Sequence, residues 1–259
     1  MSLRTITGRI AVGSALVVTA TAGIYTALVY RRISVADMRR ITSQDYVADS
    51  LRGSATIRQL VNPRGHAALE DSRSITLTIP RGQRVSDEAI LAQFVKAFFG
   101  GRVFAPERVG LGLFRQSVGP FNGLEPAAPP QQVWDASQLS DQTLPPLHTT
   151  LFSGFQVLAI QLAPRSEKGS ASESSVDIAF GSSERQFGSC HRFSVVQEAP
   201  RGADGDTTAR LCFACVACNP AGDQPLRLGS MLWVFHRAYA MLLFRDAVAG
   251  VKAFTNGVF

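Results

Sequence analysis

Apolar and polar residues alternate with a period of two over Ser74-Ile75-Thr76-Leu77-Thr78-Ile79. Ile75, Leu77 and Ile79 therefore share one face of a predicted strand, which Pro80 to Arg84 ends. The period then changes. Ser86-Asp87-Glu88 supplies a capping hydroxyl and two carboxylates for the positive end of a helix, and Ile90, Leu91, Phe94, Val95 and Phe98 recur at helical spacing before Gly100-Gly101. Residues 103–125 predict a second short helix followed by irregular chain, and the proline-rich stretch 126–146 reads as a loop or flap. Four further strands are expected at Thr149 to Leu162, Ser175 to Gly181, His191 to Glu198 and Arg210 to Cys218. The last pattern, Leu226 to Gly250, is helical, with Leu228, Met231, Leu232, Phe235, Tyr239, Leu242 and Leu243 on one stripe.

Ahead of the first strand the pattern is different. Ile10 to Tyr30 carries no charge over 21 residues, about 31 Å as a helix and close to one hydrocarbon thickness. Tyr25 and Tyr30 near one end, followed by Arg31, Arg32, Arg39 and Arg40, complete a stop-transfer pattern. The expectation is an N-terminal segment, 1–36, with a transmembrane helix over about 10–30. A tether follows over 37–73, with a short helix around Val35 to Leu51, and then a single domain, 74–259. The excess of Arg after the apolar segment places that domain on the cytosolic side of a single-pass membrane protein. A cleavable secretory signal, with Ala20-Thr21-Ala22 as cleavage site, and a mitochondrial presequence with an inner-membrane anchor are the competing readings of the same residues.

Charge changes the picture only by where it lies. The chain has 26 basic and 20 acidic residues among 259, a net of +6. Arg4, Arg9, Arg31 and Arg32 stand in the acid-free first 36 residues, and without them the balance is +2. The phenylalanines follow apolar stripes and are not interleaved with Lys or Arg, so nucleic acid is excluded as a partner. No complete phosphate-binding glycine loop and no nucleophile elbow occur.

Candidate chemistry is sparse. Cys212, Cys215 and Cys218 have the spacing of thiolate ligands, but a strand turns Cys215 to the face opposite Cys212 and Cys218. Packing is thus the expected role, with no metal or cofactor. The four histidines, His66, His148, His191 and His236, form no close ligand pair in sequence. His236 on the final helix and Arg192 on a strand are the candidate catalytic residues, the first to move a proton and the second to hold an oxyanion or carboxylate. Their bland alternatives are a solvated helix shoulder and a water-facing strand position.

The order of elements, with the segments VDIAFGSSERQF, CHRFSVVQE and LWVFHRAYAMLLFRDAV, resembles the START-like helix-grip superfamily of lipid-transfer proteins and polyketide cyclases. The resemblance spans about residues 74–250. It implies an α+β fold in which a curved antiparallel sheet packs on a long C-terminal helix around an apolar cavity. Three functions follow as expectations: a membrane-anchored domain that binds a hydrophobic small molecule or lipid; an enzyme of polyketide-like or lipid-like secondary metabolism using acid/base chemistry in the same cavity; or a non-catalytic membrane-complex subunit.

Overall fold

A computed structural model describes residues 19–80, 82–83, 85–114, 121, 131–164, 172–198, 207–224, 226 and 230–257. Its centre is an eight-stranded sheet in the order β1-β2-β8-β7-β6-β5-β4-β3. The strands are β1 (Thr42–Gln44), β2 (Ala68–Ile79), β3 (Gln132–Val133), β4 (Thr150–Leu151), β5 (Phe155–Gln161), β6 (Glu173–Gly181), β7 (Gly188–Glu198) and β8 (Thr207–Cys218). Every pairing is antiparallel except β3 with β4. The helices are α1 (19–33), α2 (Asp49–Arg52), α3 (Asp87–Gly100), α4 (Ala105–Phe114) and α5 (Ser230–Thr255). This is an α+β fold with a large sheet packed on a C-terminal helix, the arrangement compatible with a helix grip.

Ser86 caps α3 as its sequence foretells, accepting the Ala89 amide at 3.1 Å. The stretch expected as one strand over Thr149 to Leu162 is a hairpin of β4 and β5. Phe152 and Ser153 both take left-handed backbone and turn the chain there. The expected strand at Ser74 extends back to Ala68, through a stretch whose Asp71, Ser72 and Arg73 are buried.

Period-two alternation gives the sheet two faces, and both are covered. Toward the helices it presents Ile75, Leu77, Val176, Ile178, Phe193, Val195, Leu211 and Phe213, against which α3 sets Phe94, Phe98 and Phe99 and α5 sets Phe244 and Val248. Phenylalanine rings meet mostly edge-on or tilted in this layer, as between Phe94 and Phe193 at 5.2 Å. The opposite face is covered by Val47, Leu51, Ile57 and Val61, from within the segment expected as a tether, packed on Ala179, Cys190, Ala214 and Val216.

The N-terminal segment departs from expectation. Among the described residues no helix is long and apolar enough to cross a membrane. This overturns the predicted transmembrane helix, and with it the single-pass membrane localisation. The described part of the apolar segment is α1, about 22 Å long at 1.5 Å per residue; residues 10–18 lie outside the described residues. The physical reason is that the end of α1 belongs to the folded body. The Tyr25 hydroxyl donates to the Arg102 carbonyl, and the Arg102 guanidinium donates to the Leu28 carbonyl at 3.0 Å. Arg32 pairs with Asp246 at 3.0 Å, while Ile33 and Ala36 join the core. Asp246, which looks in sequence like half of a surface pair with Arg245, is itself buried and also accepts the Val103 amide at 2.9 Å.

Candidate functional site

Between the helix-facing side of the sheet and α5 lies a cavity of about 220 Å³. Its sheet wall is set by alternation: Leu69 and Asp71 from β2, Phe213, Cys215 and Ala217 from β8, and Ser189 and His191 from β7. Its helical wall is one face of α5, with Trp233, His236, Ala240 and Leu243 at spacings of three and four. Phe98, Phe104, Phe155, Phe180 and Phe187 close the remaining sides.

This face of α5 differs from the expected stripe. Met231 and Phe235 are 85% and 63% exposed, and Leu232 and Val234 also face outward. Leu228 lies outside the described residues. The first half of the helix is apolar on nearly every side, so hydropathy alone cannot tell which stripe is buried. The contacts select the one carrying His236.

Two polar clusters interrupt the apolar wall. In the larger, Asp71, Cys215 and His191 are consecutive cross-strand partners on β2, β8 and β7 and form one row across the sheet. His236 reaches this row from α5, its Nε2 3.7 Å from Asp71 Oδ1. That is too long for a hydrogen bond, and both atoms are buried without a partner. The other Asp71 oxygen accepts from the Arg73 guanidinium, which also donates to the Arg237 carbonyl at 3.0 Å. Burial works against the Asp71 charge, but His236 and Arg73 outweigh it and hold the carboxyl below its ordinary range. Burial pushes the Cys215 thiol up to about 12, helped by the Asp71 charge, so this is a protonated thiol and no activated nucleophile. His191 lies among Phe98, Phe155 and Phe213; burial and the nearby His236 lower its pKa to about 4, so it is neutral near pH 7. Trp233 stacks on His236 at 5.2 Å and orients the ring.

The smaller cluster joins α4 to α5. Tyr239 donates to Glu107 at 2.8 Å. Burial raises the Glu107 pKa against the pull of that hydrogen bond, and burial together with the Glu107 charge raises that of Tyr239.

Of the two candidate catalytic residues, His236 is at the cavity and Arg192 is not. Arg192 follows His191 by one position, so alternation sends it through the sheet to the other face. There its guanidinium grips Asp177 in a two-point pair, at 2.6 and 2.8 Å, and Thr56 donates to the same carboxylate at 2.6 Å. The pairing of His236 with Arg192 that an acid/base enzyme would use is therefore not made. The cysteines divide as strand alternation requires. Cys215 looks into the cavity, while Cys190 and Cys218 are buried on the other side, Cys218 against the Val61 carbonyl. Asp71 is the site residue least visible in sequence, because it stands in a polar run without periodicity. The nearest signal is its place three residues before the alternating Ser74–Ile79 segment.

No protein-family model matches the chain, and no curated protein matches it either.

Proposed function

We propose that this protein binds a small, mainly apolar molecule bearing one or two polar groups, held between α5 and the sheet. The observation that carries the reading is the aromatic cavity of about 220 Å³ walled by alternate strand residues and one face of α5. It exceeds the ~150 Å³ in which an apolar protein cavity accommodates benzene, and its wall combines apolar rings with a few convergent polar groups, the usual make-up of a ligand site. The START-like resemblance supports the same reading at the level of a curved sheet gripping a C-terminal helix.

Trp233 lines the cavity and is one of only two tryptophans, so it reports on occupancy. In Trp134→Phe protein, titration with cyclohexanol, benzyl alcohol and hexanoic acid is expected to give a saturable change of Trp233 fluorescence with at least one of them. Ala240→Phe on the helical wall, or Ala217→Phe on the sheet wall, fills the space and weakens that binding at least about tenfold. A purely linear response to all three probes overturns the reading, as does saturable binding retained in both filled variants.

A further inference from the structure

The larger polar cluster has the composition of a metal site. Asp71, Cys215 and His236 each offer one donor atom, and the three donors lie within 4.8 Å of one another. Each comes from a different element, β2, β8 and α5, and Asp71 and Cys215 are direct cross-strand partners, which fixes both on the cavity side. Two of these donors, Asp71 Oδ1 and His236 Nε2, are 3.7 Å apart. A carboxylate oxygen and an imidazole nitrogen about 2.0 to 2.2 Å from one tetrahedral ion stand about 3.3 to 3.5 Å apart, so these two close slightly on binding.

Two further observations point to a ligand. Asp71 is 2% exposed and its Oδ1 has no partner, and His236 Nε2 facing it has none. A buried carboxylate oxygen and a buried ring nitrogen that face each other without hydrogen-bond partners offer two convergent donors to a bound cation. Their surroundings also hold the ligands in place: Arg73 engages the second Asp71 oxygen, Trp233 stacks on the His236 ring, and the Ser189 hydroxyl stands 3.6 Å from Cys215 Sγ.

We propose that Asp71, Cys215 and His236 bind one zinc-type divalent ion at the wall of the cavity. A thiolate and an imidazole select a borderline-soft ion over magnesium or calcium. On binding, the Cys215 thiol gives up its proton to solvent and the sulfur bonds to the metal, while the metal sheds water. One thiolate and one carboxylate then offset the dication, and the buried Arg73 guanidinium beside Asp71 leaves the site with a net charge of about +1. Three protein donors leave a fourth position, facing the cavity, for water or a heteroatom of a bound molecule. The proposal stands apart from the ligand reading, since metal binding is measured with no organic molecule present.

The test is titration of chelator-treated full-length protein with Co²⁺, then displacement by Zn²⁺. The expected result is one cobalt per chain with a thiolate-to-cobalt charge-transfer band in the near ultraviolet, removed by zinc. Cys215→Ser abolishes the band. His236→Gln and Asp71→Asn keep it but weaken binding at least about tenfold. Cys212→Ser, on the opposite face of the same strand, changes neither. Far-ultraviolet circular dichroism confirms that each variant is folded, and His236→Gln carries the test should Cys215→Ser not fold. The proposal is overturned by absence of the band, by its survival in folded Cys215→Ser, or by unchanged cobalt affinity in His236→Gln.

Discussion

Adjacent residues on β7 show how far side-chain direction decides role. His191 and Arg192 both look chemically useful in sequence, yet one faces the cavity and the other is committed to Asp177 behind it. Burial works against the Arg192 charge, but the hydrogen bonds and charge of Asp177 prevail and raise its pKa, so the guanidinium stays charged. Removing one member leaves the other buried and uncompensated. Arg192→Ala is expected to lose about 3 to 5 kcal/mol of stability in denaturant unfolding, with cobalt binding unchanged where the variant is folded. His191 carries a different prediction. Its neighbours with charge are His236 from α5 and Asp71 from β2, while Phe98, Phe155 and Phe213 bring none from α3, β5 and β8. The native imidazole stays neutral down to about pH 4, whereas the unfolded one protonates near 6.5. Between those values the unfolded chain binds the extra proton, so stability falls as pH drops through this window and levels off below it. The loss is at most about 3 kcal/mol. Urea unfolding of chelator-treated protein at pH 7 and 4.5 measures it, and His191→Gln flattens the profile.

Elements were legible where one periodicity ruled. The second half of β2, α3 with its Ser86 cap, and the run from β6 to β8 all follow directly from alternation, helical spacing and turn residues. The first half of β2 was hidden because Asp71 and Arg73 enter the interior as charges paired with each other, which hydropathy scores as surface. The buried stripe of α5 was hidden for the opposite reason, an excess of apolar residues in its first half. Small residues, by contrast, locate the helix crossing: a side chain at Gly250 would overlap Ala97 of α3. Gly250→Ala gains helix propensity of about 1 kcal/mol but forces α3 and α5 apart. A net loss of thermal stability is expected, with Ala97→Gly restoring part of it in the double variant.

At the scale of the molecule, the sheet divides the chain into two unequal interiors. One, with α3 and α5, holds the cavity and the polar row. The other, under residues 47–61, is a smaller apolar layer with the Arg192–Asp177–Thr56 cluster at its boundary. The α+β class with a sheet on a C-terminal helix could be foreseen from the order of elements, and a cavity between them from the START-like resemblance. The membership of the site could not, because Asp71, Cys215 and His236 meet only through the β2–β8 pairing and the path of α5.

That pairing also orders events in time. β2 stands early in the chain and its long partner is the last strand, with Ala68 opposite Cys218 and Ile79 opposite Thr207. During synthesis β2 therefore waits, one edge open, until residues 207–218 have left the ribosome, and the helix that closes the cavity comes later still. Nascent chains truncated before β8 hold a strand without its mate and none of the polar row beyond Asp71 and His191. That open edge is exposed to aggregation, since contacts so distant in sequence are slow to form.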